Sequence, residues 1–143
     1  MSDDTPDIVI LDRRIDPGVL RRLVERHFED MVKFVVDVER WSRFSLDQQV
    51  LRIANEMHRA TALQGAGDRA SLERAYERVL RLVDLTVALP LRLAMRRELL
   101  RWRDLIAALF IGSDAAPANH RDAFRALLLL RPAAAKQIPL LLG

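Results

Sequence analysis

The sequence predicts a mostly α protein, a three- to four-helix bundle preceded by a small βαβ unit, so α+β overall. Three observations carry that expectation. Two β-branched runs, Ile8-Val9-Ile10-Leu11 and Met31-Val32-Lys33-Phe34-Val35-Val36-Asp37-Val38, flank a segment with helical spacing. From Trp41 onward the apolar residues recur by threes and fours. Breakers and caps then punctuate the chain at Gln64–Gly67, Leu89-Pro90 and Gly112.

Ile8–Leu11 has the composition of a short buried strand. Asp16-Pro17 reads as a helix start, with Asp as N-cap and Pro at the first helical position. Leu20, Leu23, Val24 and Phe28 supply the apolar stripe, and Glu29-Asp30 closes the helix. Met31–Val38 is apolar on both faces, as parallel strands are. The expected organisation is a disordered segment 1–7, a βαβ association unit 8–40, a helical bundle 41–131 and an apolar tail 132–143 docking on the bundle. Two strands alone are marginal in water, and their open edges accept another strand. That makes Ile8, Val9, Ile10, Leu11, Val32, Phe34, Val35, Val36 and Val38 the expected interface, to a second copy or a heteromeric partner.

In the bundle, Ser45-Leu46-Asp47-Gln48 is a capping box, and the helix buries the stripe Leu46, Val50, Ile53, Ala54, Met57 and Ala60. Asp68 or Ser71 opens the next helix, with Leu72, Ala75, Tyr76, Val79, Leu82, Val83 and Thr86 inward. A third helix over about 92–111 buries Met95, Leu99, Trp102, Ile106, Leu109 and Phe110, and Gly112 follows as a C′ terminator. A shorter helix over 120–130 carries Phe124, Leu127 and Leu128. Short connections favour antiparallel neighbours.

Two segments resemble known groups. Ile8-Val9-Ile10 through Met31–Glu39 resembles the start of a bacterial domain family of unknown function, whose glycine-, histidine- and tryptophan-bearing continuation this chain lacks. Trp41–Gln49, Ala75–Thr86 and Arg97–Asp104 together resemble a group of small, uncharacterised helical bacterial proteins. Neither resemblance implies an activity or a cofactor. What they imply is two modules acting together in one chain.

Composition narrows the chemistry. Half of the 143 residues are apolar and 30% are charged, an ordinary globular balance. With no cysteine there is neither a disulfide framework nor a thiolate metal site. The acidic N-terminus is unlike a secretory signal and no apolar run is long enough to span a bilayer, so the expectation is a soluble, cytoplasmic protein. Net charge is +3, and every cation but Lys33 and Lys136 is arginine. The densest basic segment, Arg96, Arg97, Arg101 and Arg103 around Trp102, is the candidate nucleic-acid contact. A catalytic site would have to use Asp84, Glu56 or His58. No metal-ligand spacing links His27, His58 and His120, and no cofactor is expected. Asp84 interrupts an apolar run and calls for an arginine partner near Arg97 or Arg101 as a structural ion pair. The expected function is a non-enzymatic interaction or oligomerisation module, with a nucleic-acid accessory role as the alternative and a small enzyme as the third class.

Overall fold

The computed structural model describes residues 16–65, 67–112 and 116–143. Seven helices and no strand occur among them: α1 Pro17–Trp41, α2 Leu46–Ala62, α3 Arg69–Val87, α4 Leu93–Ile111, α5 Pro117–Leu128, α6 Pro132–Ala135 and α7 Ile138–Leu142. The chain divides into two compact units, one ending at Asp37 and the other running from Val38 to Gly143.

In the first unit the expected βαβ arrangement is corrected. The Asp16 carboxylate accepts from the amides of Gly18 (3.0 Å) and Val19 (3.2 Å), capping α1 with Pro17 at its first position. The helix does not stop at Glu29-Asp30, and Met31–Val38 is its second half rather than a strand. The physical reason lies in the spacing. Leu20, Val24, Phe28, Met31, Val35 and Val38 fall on one helical face, and no proline or glycine lies between Gly18 and Trp41. Four valines cost a helix at most about 0.7 kcal/mol each, which a continuous hydrogen-bond ladder and the Glu29–Lys33 spacing offset. The backbone amides of Val32–Val38 serve that ladder, so they are not donors for strand pairing. Ile8–Leu11, the other expected strand, lies outside the described residues.

The second unit begins with the last turn of α1. Trp41 is buried, and its indole Nε1 donates to Thr86 Oγ1 at 2.8 Å. Gln49, also buried, donates from its amide nitrogen to the carbonyls of Trp41 (3.1 Å) and Phe44 (3.0 Å), which ties down the turn between α1 and α2. Ser45 and Gln48 form the reciprocal capping box. The Asp68 carboxylate caps α3 by accepting from the Ser71 amide at 3.0 Å.

Helices α2 and α4 each pack against both α3 and α5, closing a ring of four. Side chains at one helix start satisfy carbonyls at the neighbouring helix end, as antiparallel neighbours require. Arg69, opening α3, donates to the carbonyls of Leu109 (3.1 Å) and Phe110 (2.7 Å) at the end of α4. Arg96, in the first turn of α4, donates to Val87 (3.2 Å) and Leu89 (2.6 Å) at the end of α3. Gly112 takes φ of 85°, the left-handed conformation that ends α4.

The core is Val50, Ile53, Met57, Tyr76, Val79, Val83, Leu99, Ile106, Phe124, Leu127 and Leu128, all but fully buried. Trp102 joins it and donates from Nε1 to the Ala123 carbonyl at 2.7 Å. Leu82, Met95 and Phe110 are only half-buried. The C-terminal segment docks on the ring: α6 packs against α2 and α5, and α7 against α5. Ala134 is fully buried and Arg121 donates to the Leu142 carbonyl.

Candidate interaction face on the N-terminal helix

An α-helix with polar residues on one side and apolar ones on the other normally hides the apolar side. In α1 that side is in the open. Leu20, Leu23, Val24, Phe28, Met31 and Val35 on that side are all exposed, Val24, Phe28 and Val35 by 61–66%, and Val19, Val32 and Val36 are exposed beyond its edges. At 100° per residue, Leu20, Leu23, Val24, Phe28, Met31, Phe34, Val35 and Val38 fill one arc, with His27 the only polar residue inside it. Arg22, Glu25, Arg26, Glu29 and Lys33 lie outside that arc. The arc spans about 140°, wider than a strict a/d stripe and broad enough to include the positions that flank such a seam in a pair of helices.

Of the residues expected to form an interface, Val35 is exposed on this face, Val32 and Val36 are exposed outside it, and Phe34 and Val38 are half-buried. Sequence reasoning placed Leu20, Leu23, Val24 and Phe28 in a helix but not in the interface. The signal that joins them to the valines is the unbroken spacing from Leu20 to Val38, hidden by reading the β-branched cluster as strand.

The arginines proposed to contact nucleic acid are largely engaged elsewhere. Arg96 holds the end of α3, and Arg101 pairs with Glu98 at 2.8 Å. Arg103 grips Asp84 with two bonds, of 2.6 and 3.2 Å, and the carboxylate holds the guanidinium pKa above its usual value. Arg97 is exposed, and Trp102 faces the core rather than solvent. The partner of Asp84 is therefore Arg103, on the same helix as the arginines the sequence points to, six residues after Arg97 and two after Arg101.

The residues weighed for catalysis do not converge. Glu56 is shared between Arg59 (2.8 Å) and Arg78 (2.9 Å) beside an open groove of about 450 Å³ that Arg74, Glu77, Arg81 and Leu82 also line. Neither Asp84 nor His58 lines that groove, and His58 is exposed on α2. Among the described residues no three His, Asp or Glu side chains are grouped to hold a metal ion.

The structure does assemble one polar cluster that spacing does not show. His120, buried at the start of α5, sits with Nδ1 2.9 Å from the Tyr76 hydroxyl. Its Nε2 lies 3.0 Å from Thr61 Oγ1 and 3.2 Å from the Met57 carbonyl. A carbonyl only accepts, so Nε2 carries the hydrogen and Nδ1 accepts from Tyr76. Gln64 donates to the tyrosine oxygen at 3.0 Å. Burial lowers the His120 pKa and raises that of Tyr76, so both stay neutral. Every buried side-chain polar atom among the described residues has a partner. Both imidazole nitrogens are occupied, leaving no free base to act on a ligand; the cluster pins α2, α3 and α5 together.

No described helix is long and apolar enough to cross a membrane. Comparison with known proteins finds no family model, no curated protein and no solved structure that matches this chain.

Proposed function

We propose that this chain is a non-enzymatic protein–protein interaction module that oligomerises through the apolar face of α1. One observation carries the reading: six large apolar side chains between Leu20 and Val35 stand exposed on one arc of a single helix. Contiguous apolar surface of this kind on a water-soluble helix marks an association site. Full burial of a Val, Leu or Phe side chain is worth about 1.5–3 kcal/mol, so covering a stripe that is half exposed offers roughly 5–10 kcal/mol before the cost of association. The ring of α2–α5 serves as the folded body that carries this helix, and its polar clusters are consumed in holding that body together.

The test is molar mass in solution by light scattering, at low and high salt. The expected result is a multiple of 16.4 kDa that persists at high salt, reduced to one copy by Phe28→Glu with the helix content unchanged. A wild-type chain of single mass contradicts the reading. So does an assembly indifferent to Phe28→Glu.

A further inference from the structure

The charge along α1 is divided end to end, and the division identifies what covers the face. Arg21, Arg22 and Arg26 against Glu25 leave the first half of the helix at +2. Glu29, Asp30, Asp37 and Glu39 against Lys33 and Arg40 leave the second half at −2. The helix as a whole is neutral, with cations gathered at its N-terminal end. That order opposes its own dipole, which favours anions at the N-terminus and cations at the C-terminus.

A helix charged in this way has a natural complement in itself, turned end for end. Two parallel copies set three arginines beside three arginines and four carboxylates beside four carboxylates. Two antiparallel copies set each cationic half beside an anionic half, and their dipoles cancel as well. The apolar arc allows the same match. It runs from Leu20 to Val38 with its aromatic Phe28 near the middle, so a two-fold axis near residues 28–30 brings Leu20 and Leu23 of one copy against Val38 and Val35 of the other. Phe28 and Met31 of both copies then meet across the axis. An interface of this kind is isologous, the commonest way for a soluble chain to close an assembly.

We infer that the partner of the α1 face is the α1 helix of a second copy of this chain, paired antiparallel about a two-fold axis near Phe28–Asp30. This rests on the reading of α1 as the association site and adds to it the identity and direction of the occupant.

The absence of cysteine makes the test direct, because single cysteines introduced for spin labels react alone. Arg22→Cys and Lys33→Cys both place the label on the polar side, away from the apolar arc. With 1.5 Å rise per residue, an antiparallel pair separates the two copies of position 22 by about 20 Å along the axis and those of position 33 by about 12 Å. The expected result is a between-copy distance that falls from position 22 to position 33. Equal distances at both positions mean parallel pairing and overturn this inference while leaving the association site in place. An assembly of three copies, which has no two-fold, also overturns it. A single-copy mass, or an assembly that ignores Phe28→Glu, removes the association reading itself.

Discussion

Helix α1 and the ring of α2–α5 are written in the same three-and-four spacing, yet only the ring buries what that spacing aligns. In α2 the residues Val50, Ile53, Met57 and Ala60 are fully buried, whereas in α1 Val24, Phe28 and Val35 stand more than half exposed. The difference is not in the helices but in what faces them. Each ring helix has two neighbours within the chain. Amphipathicity therefore shows that a helix has a side to cover, and the packing within the ring shows which helices cover it there.

Mutations separate the two regions, and the largest effect belongs to the ring. Phe124→Ala removes a fully buried aromatic from α5 and is expected to cost about 3–5 kcal/mol of stability, read by denaturant unfolding. Phe28→Ala removes the same side chain from α1 and is expected to leave the unfolding of the ring unchanged while weakening association; a comparable loss of stability from both would erase the distinction.

Gln49→Leu is next. It deletes the donor shared by the Trp41 and Phe44 carbonyls, leaving the Trp41 carbonyl only the Phe44 amide and costing the Phe44 carbonyl its side-chain partner, at an expected cost of about 1–3 kcal/mol. The midpoint of thermal unfolding checks it, and an unchanged midpoint means the turn between α1 and α2 does not depend on that side chain.

The ring is also expected to sense acid through His120. Burial lowers its folded-state pKa, so the unfolded chain binds the proton more readily. The stability this neutral imidazole provides is complete above the usual histidine pKa of about 6.5 and is lost as pH falls through the lower folded value. Thermal unfolding between pH 7.5 and 5 should show a falling midpoint, and His120→Gln should flatten that slope. A slope retained in the variant would assign the acid sensitivity to other groups.

The smallest effect is expected from Asp84→Asn. Its side chain and that of Arg103 are 39% and 34% exposed, so solvent screens the pair and the loss should not exceed about 1 kcal/mol. A larger loss, measured by denaturant unfolding, would mean that the pair sets the register between α3 and α4.

Parts of this fold are legible in the linear sequence because their causes are local. The Ser45–Gln48 capping box, the Asp68 cap and the left-handed Gly112 each depend on atoms within a few residues of one another. Residues 31–38 illustrate the limit. Their β-branched content favours strand and their spacing favours helix, and the spacing prevails because it extends a stripe begun at Leu20. The exposure of that stripe is not written in α1 at all, since a covered and an uncovered amphipathic helix have the same pattern.

By itself, the sequence determined where α2, α3 and α4 begin and end and which side of each is apolar, because capping and periodicity act over one or two turns; α5 instead starts at Pro117, three residues before the expected 120. Only the tertiary structure decided which side chains meet across helices: Arg103 rather than Arg97 or Arg101 for Asp84, and Tyr76, Thr61 and the Met57 carbonyl around His120. Those meetings depend on the register between helices. That register is the sum of many packing contacts, each too weak to leave its own mark on the chain.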